Sequence, residues 1–194
     1  MERNLEVALV CRLRAGDVAA FDETYEALNP RVFSFLCRMT RSRTVAEDLL
    51  GETWLRFVSV SGELCEDTRL VPWLFTVARN LYMSYCRSRA REQAYTSDMI
   101  LLWPGELPRS PFELASINEY EQRLEAALAD LPAAYREVLL LVGAEGLRPV
   151  DAAAVCGISV EACRQRLSRA RALLSRRLAD SARFEARAAK EVSL

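Results

Sequence analysis

Six polar side chains able to grip a polyanion crowd into one short stretch: Arg164, Gln165, Arg166, Ser168, Arg169 and Arg176. Val160, Cys163, Leu167, Ala170, Leu174 and Leu178 recur among them at helical spacing. That pattern predicts an amphipathic helix with a buried apolar stripe and arginines on its other faces. Upstream, Leu147, Val150, Ala154 and Val155 form a shorter apolar stripe, with Pro149 at the helix start. Gly157-Ile158-Ser159 divides the two. Gly157 suits the left-handed residue that ends a helix, and Ser159 is a good N-cap for the next. Two helices, a glycine turn and an arginine-studded second helix predict a helix-turn-helix that binds duplex DNA. The alternative is a solvated basic helix packed on a bundle.

A second basic patch runs from Val71 to Arg91. Residues 69–91 hold 5 basic and no acidic side chains. Arg87, Arg89 and Arg91 close the segment, and Trp73, Phe75, Tyr82 and Tyr85 interleave with it. Aromatic faces can stack on unpaired bases while arginines hold phosphates, a composition suited to single-stranded nucleic acid. The competing reading makes each aromatic a bundle core residue. The flanking sequence is acidic, with 8 basic and 12 acidic residues over 1–68 and 2 and 8 over 92–130. Residues 131–194 return to 11 basic and 7 acidic. Two separated patches point to two contacts with a polyanion, hidden beneath a net charge of −1. Acids repel DNA, so Glu47, Asp48 and Glu52 on one helix face suggest a protein partner.

Several chemistries lack their residues. The chain has no histidine, hence no histidine base, histidine metal ligand or Ser-His triad. There is no glycine-rich phosphate loop. Six cysteines stand at 11, 37, 65, 86, 156 and 163 with no C-x-x-C pair, so core packing is expected of Cys156 and Cys163, and no metal or cofactor is expected. Reduced thiols fit a cytoplasmic protein. Met1 to Arg14 is no signal peptide, and the longest apolar run, Val138 to Ala144, is too short for membrane insertion.

Scarce Gly and Pro amid Ala, Leu, Arg and Glu predict an all-α chain. Helices are expected at about 5–15, from Asp17 to a break at Asn29-Pro30, from Pro30 onward, at 44–58 and at 71–91, with a loop over Ser59 to Arg69. Pro104, Gly105, Pro108 and Pro111 mark residues 92–111 as a flexible linker between two helical domains, 1–91 and 112–180. Helices at about 112–129 and 133–144 precede the helix-turn-helix. Residues 181–194 read as a weakly helical tail.

The order of these parts resembles the bacterial RNA polymerase sigma factors of the extracytoplasmic-function (ECF) group. The matching pieces are Gly16-Asp17-Val18-Ala19-Ala20-Phe21; Ala46-Glu47-Asp48-Leu49-Leu50-Gly51-Glu52-Thr53-Trp54-Leu55-Arg56; Pro72-Trp73-Leu74-Phe75-Thr76-Val77-Ala78-Arg79-Asn80; Leu131-Pro132 with Tyr135-Arg136-Glu137-Val138; and Gly157 to Val160 with Arg164 to Arg171. The resemblance implies an alternative sigma factor, not an enzyme, with a region 2 bundle over 1–91 and a region 4 helix-turn-helix over 112–180. It assigns binding of the β′ clamp helices of core RNA polymerase to Asp48, Glu52, Thr53 and Arg56, and adds the β flap as a partner. It assigns −10 melting and capture of a flipped base to Leu64, Val77 and Asn80, with Arg79, Arg87, Arg89 and Arg91 on phosphates. It assigns −35 reading to Arg164, Gln165, Ser168 and Arg169. It further implies promoter DNA, duplex and single-stranded, and an anti-sigma factor as partners. Gly51 stands where the family usually has a polar residue, and Ala162 and Cys163 replace the more usual Thr and Val. Two rivals stay open: a dimeric helix-turn-helix regulator of a palindromic site, and an enzyme with a DNA-binding tail.

Overall fold

The computed structural model describes the backbone of residues 3–96 and 119–192, and the side chains of 5–92 and 120–180. The chain is all-α, with no strand among the described residues. Helix α1 spans Arg3–Arg14, α2 Val18–Thr40, α3 Arg43–Val60 and α4 Leu70–Thr96, with a 3-10 turn at Ser61–Glu63. The second unit holds α5 Glu119–Ala129, α6 Ala133–Leu139, a turn of π-helix over Leu140–Ala144, α7 Pro149–Cys156 and α8 Val160–Val192. The linker proper, 97–111, and the first residues expected of the next helix, 112–118, lie outside the described residues.

Local chemistry starts these helices. The Asp17 carboxylate caps α2 by accepting from Ala19 N at 2.9 Å and Ala20 N at 3.3 Å. Arg12 bonds the same carboxylate at 2.7 Å and holds its pKa below the usual range. The Glu6 carboxylate, buried under α1, accepts from Leu70 N at 2.9 Å and so closes the start of α4 from a distant part of the chain.

The break expected at Asn29-Pro30 does not occur: α2 runs through it. Pro30 lies on the solvent side, where the carbonyl it leaves unbonded can take water. Leu28, Val32, Phe35 and Leu36 hold the opposite face in the core. Asn29 also gains a purpose, its Oδ1 accepting from Trp54 Nε1 at 2.9 Å. Two other expected boundaries shift. Helix α4 reaches Thr96, five residues into the expected linker. Helix α8 continues to Val192, so the backbone of most of the expected tail is part of the recognition helix.

In the first unit α2, α3 and α4 pack on one another, and α1 lies across α2 and the 3-10 turn. Phe35 meets Phe75 edge-on at 5.3 Å, and Phe21 stacks on Phe57 with Trp54 edge-on to both. In the second unit α5, α6 and α7 pack on α8. The units are joined: α4 lies against α7, and α2 touches α5 and α6, so one apolar core runs through both.

Four cysteines belong to that core, Cys37, Cys86, Cys156 and Cys163, whereas Cys11 and Cys65 are exposed. Burial pushes the Cys37 thiol up to about 11 and raises Cys156 and Cys163 as well. A thiol-specific chromogenic reagent is therefore expected to react quickly with two groups in the native protein and with the other four only after unfolding. Four or more fast thiols would contradict this packing.

Candidate nucleic-acid interface

The helix-turn-helix is built as its residue types require. Gly157 ends α7 at φ 64°, ψ 38°, and its N–H reaches back to the Ala153 and Ala154 carbonyls. Ser159 Oγ then accepts from Ala162 N at 3.1 Å to start α8. Cys163, Leu167 and Ala170 are buried, and Leu174 and Leu178 are half-buried. Arg164, Gln165, Ser168 and Arg169 are all exposed. Their spacing along one helix puts four hydrogen-bonding groups on a common open face. In α7 the expected stripe is rotated. Val150 and Ala154 are exposed, and Ala152, Ala153, Val155 and Cys156 are buried. Two consecutive small residues let α7 approach α4 and α8 closely, which reassigns its inner face.

The aromatic-arginine helix divides between the two readings. Phe75 and Tyr82 are fully buried and serve the core, so they offer no face to a base. Trp73 and Tyr85 are half-buried and pack against the core. Leu64, expected at the melted −10 element, is also buried, 5% exposed. Val77 is half-buried and Asn80 exposed one turn along α4. Arg87, Arg89 and Arg91 are exposed at the far end, a free cationic run. Arg79 is not free: its Nε donates to Glu137 Oε1 of α6 at 2.6 Å, and both groups are largely buried.

On α3, Asp48, Glu52 and Arg56 are exposed, with Glu52 and Arg56 paired at 2.7 Å. Thr53 departs from the expectation. It is fully buried, and its hydroxyl donates to the Leu49 carbonyl at 2.7 Å, so it braces the helix from within. Two residues that the sequence puts on the apolar positions of this helix, and not at an interface, stand out instead: Leu55 is 72% exposed and Val58 54%. Large apolar groups beside carboxylates on an open helix face have the makeup of a protein interface. The signal was present in the sequence, because an apolar stripe that includes Val45, Leu49, Trp54, Leu55 and Val58 is too wide for one buried face.

Four arginines of the first unit reach carboxylates of the second. Arg31 Nε meets Glu145 Oε2 at 3.0 Å and its Nη2 donates to the Glu145 carbonyl at 2.8 Å. Arg38 Nη2 meets Glu125 at 2.7 Å. Arg69 bonds Asp151, and Arg79 bonds Glu137 as above. The π-helical turn leads directly into Glu145, whose N bonds the Leu140 carbonyl at 2.9 Å, five residues back, while its side chain meets Arg31 of α2.

The Asp151 and Glu145 carboxylates respond to pH in opposite senses. Arg148, and then Arg69, hold the Asp151 carboxyl below the usual range. Its contribution to stability is present above the ordinary carboxylate pKa of about 4 and is lost as pH falls through its depressed native value. Burial outweighs Arg31 and raises Glu145, so that residue favours the folded state as pH falls into the window just above the ordinary value. Thermal unfolding followed from pH 7 down is expected to show a loss below about pH 4 that Asp151→Asn reduces. An equal acid loss in that variant would assign the loss to other carboxylates.

Comparison with known proteins places these units. A family model described as Sigma-70 region 2 matches residues 24–92, and one described as Sigma-70, region 4 matches residues 121–174. The chain is 37% identical over 146 residues to the ECF RNA polymerase sigma factor EcfG of Rhodopseudomonas palustris (strain TIE-1), covering 75% of this chain and 78% of that protein. It is 32% identical over 151 residues to the ECF RNA polymerase sigma factor SigM of Bacillus subtilis (strain 168), covering 77% and 90%. Among solved structures, the sigma factor RpoE in complex with the anti-sigma factor NepR from Bartonella quintana superposes with a TM-score of 0.67 at 30% identity, covering 81% of this chain and 96% of that one.

Proposed function

The chain belongs to the ECF group of RNA polymerase sigma factors, and from that premise we propose how its surfaces divide the work of promoter recognition and transcription initiation. The outer face of α3, with Asp48, Glu52, Leu55 and Arg56, docks on the β′ clamp helices of core polymerase. Helix α4 serves the −10 element, with Asn80 reading an extruded base of the non-template strand and Arg87, Arg89 and Arg91 on phosphates. Helix α8 enters the major groove at the −35 element with Arg164, Gln165, Ser168 and Arg169. The β flap contacts the second unit. The chain supplies contacts and no reaction, and it works in the cytoplasm, where polymerase is. No described helix is long and apolar enough to cross a membrane. RpoE of Bartonella quintana is held by an anti-sigma factor, and a partner of that kind is proposed for this chain too.

The observation that carries this reading is the open face of α8. Four groups suited to bases and phosphates project from a helix whose other side is anchored in the core. Weak contacts at two promoter elements then reinforce each other when both belong to one chain. The direct test mixes the purified chain with core RNA polymerase and sequences the starts from a genomic promoter library. Specific starts that need the chain support the reading; folded chain with no co-elution and no starts refutes it.

Single substitutions separate the two DNA roles. Arg164→Ala and Arg169→Ala are each expected to weaken −35 duplex binding by about 1–3 kcal/mol where the lost contact is bidentate. Asn80→Ala is expected to leave duplex binding intact and slow promoter opening, read by permanganate reactivity of unpaired thymines. Normal opening in Asn80→Ala would remove that residue from base capture.

A further inference from the structure

Two thiols stand outside the core. Cys11 of α1 and Cys65, in the loop between the 3-10 turn and α4, are exposed, whereas Cys37, Cys86, Cys156 and Cys163 are buried. The exposed pair is far apart in sequence, but the fold sets both along one seam. On α1 the inner side is held by Glu6, Leu9, Val10 and Leu13. Of the outer positions, Arg12 turns to α2, meeting Asp17 at 2.7 Å and Glu23 at 3.0 Å. Arg14 turns to the loop instead and meets Glu66 at 2.9 Å. Cys11 lies three residues before Arg14, and residues so spaced are neighbours on a helix surface.

The loop is pinned to α1 at two points about two turns apart. Arg14 holds Glu66, and Glu6 accepts from Leu70 N at 2.9 Å. Cys11 stands between these two positions of α1, and Cys65 directly precedes the first loop pin. Thr68 N donates to the Cys65 carbonyl at 2.9 Å. That bond closes a β-turn, which brings the two Cα atoms within about 7 Å and folds Cys65 back beside the pinned segment. Leu64 and Leu70 are buried and fix the ends of the loop, while Cys65, Glu66 and Asp67 form its exposed tip. An ion pair as open as Arg14–Glu66, at 40% and 70% exposure, is a weak restraint on that tip. A disulfide asks for Cα atoms about 4.4–6.8 Å apart, which a shift of the tip along α1 supplies.

We propose that Cys11 and Cys65 form an oxidisable dithiol, and that its disulfide ties the loop before α4 to α1. The oxidant is hydrogen peroxide. One thiolate attacks the O–O bond and becomes a sulfenic acid, and a water leaves. The second thiolate attacks the sulfenic sulfur: the S–S bond forms, the S–O bond breaks and a second water leaves. The two thiols give up two electrons and two protons, and one peroxide becomes two waters. Exchange with a small dithiol reverses the bond. In a reducing compartment such a bridge is transient, which suits a sensor rather than a structural staple. Its consequence rests on the promoter-opening role proposed for α4. A loop clamped to α1 cannot adjust to a strand arriving at α4, so the oxidised chain loses opening of the −10 element. The −35 contact belongs to α8 in the other unit and is unchanged.

The test treats the full reduced chain with a molar excess of hydrogen peroxide and removes the excess with catalase. Remaining thiols are blocked with N-ethylmaleimide, and the chain is digested with trypsin without reductant. Mass spectrometry is expected to find peptides 4–12 and 57–69 joined, lighter than their sum by two hydrogens. The chain is expected to run as a monomer on a non-reducing gel and, once unfolded, to show four free thiols in place of six. Cys11→Ser and Cys65→Ser each remove the linkage, and both sites are exposed, so neither change disturbs the core. With core polymerase, permanganate footprinting is expected to show opening lost in the oxidised wild type, restored by dithiothreitol and retained in peroxide-treated Cys65→Ser. No joined peptide, or a bridge found only between two chains, overturns the dithiol. A joined peptide with opening unchanged overturns the clamp. The linkage assay contains no polymerase, so failure of the sigma-factor reading shows as absent initiation by the reduced chain and leaves the linkage result intact.

Discussion

Arg136→Met is expected to destabilise the protein by about 3 kcal/mol or more, because at least three carbonyls lose a charged donor in the core. Arg136 is 2% exposed. Its Nε donates to the Leu128 carbonyl at 2.9 Å, and its Nη2 to the Ala129 and Leu131 carbonyls at 2.7 and 2.8 Å. These are acceptors at and just beyond the end of α5, where the dipole favours a cation, and the Leu128 carbonyl also accepts from Leu131 N at 3.2 Å. A further bond at 3.3 Å reaches the Arg38 carbonyl at the end of α2, so one side chain ties two helices of different units. Arg136→Lys is expected to rescue little, since one ammonium cannot span acceptors arranged around a planar fork. Urea and thermal unfolding check this, with a melting temperature roughly 10 °C lower at that magnitude for a chain of this size. A loss under about 1 kcal/mol, within the range of an ordinary surface change, would mean water replaces the guanidinium.

Much of this was legible in the residues. The glycine turn, the Ser159 cap and the apolar stripe of α8 follow from local rules, and the structure has them where periodicity and caps placed them. What escaped was set by tertiary packing. Pro30 reads as a breaker in isolation, but its exposed side and the buried face opposite let α2 pass through. Thr53 looked like a surface residue among acids because a hydroxyl tolerates either side. Its bond to the Leu49 carbonyl settles it in the core. Phe75 and Tyr82 illustrate the same ambiguity, since an aromatic at helical spacing can face a base or a core, and only the neighbouring helices decide. Four ion pairs between the units among the described residues join positions 58 to 114 apart, the widest being Arg31 with Glu145. No local pattern encodes such a pairing, and the acidic excess of residues 92–130 supplies only one of these carboxylates, Glu125.

Reversing Glu52 and removing Leu55 together, as Glu52→Lys/Leu55→Ser, is expected to cost core polymerase at least thirtyfold in affinity and to abolish initiation that depends on the chain. Two kcal/mol, the usual threshold for an interface hot spot, is about that factor. The expectation rests on where these groups stand. Leu55 is 72% exposed and Glu52 lies one turn before it on the same helix, so both face outward from a bundle whose inner side is closed by Leu49, Trp54 and Phe57. The fold loses little by the change. Leu55 has almost no packing to surrender, and the exposed Glu52–Arg56 pair four residues apart contributes only about 0.3–0.5 kcal/mol. Binding and stability should therefore separate in this variant, whereas Thr53→Val should do the reverse and touch the core while sparing the surface. Gel filtration with core polymerase, beside an unfolding curve, distinguishes them. If the α3 variant binds polymerase normally while remaining folded, the docking face lies elsewhere, and the exposed leucine must be explained by another partner.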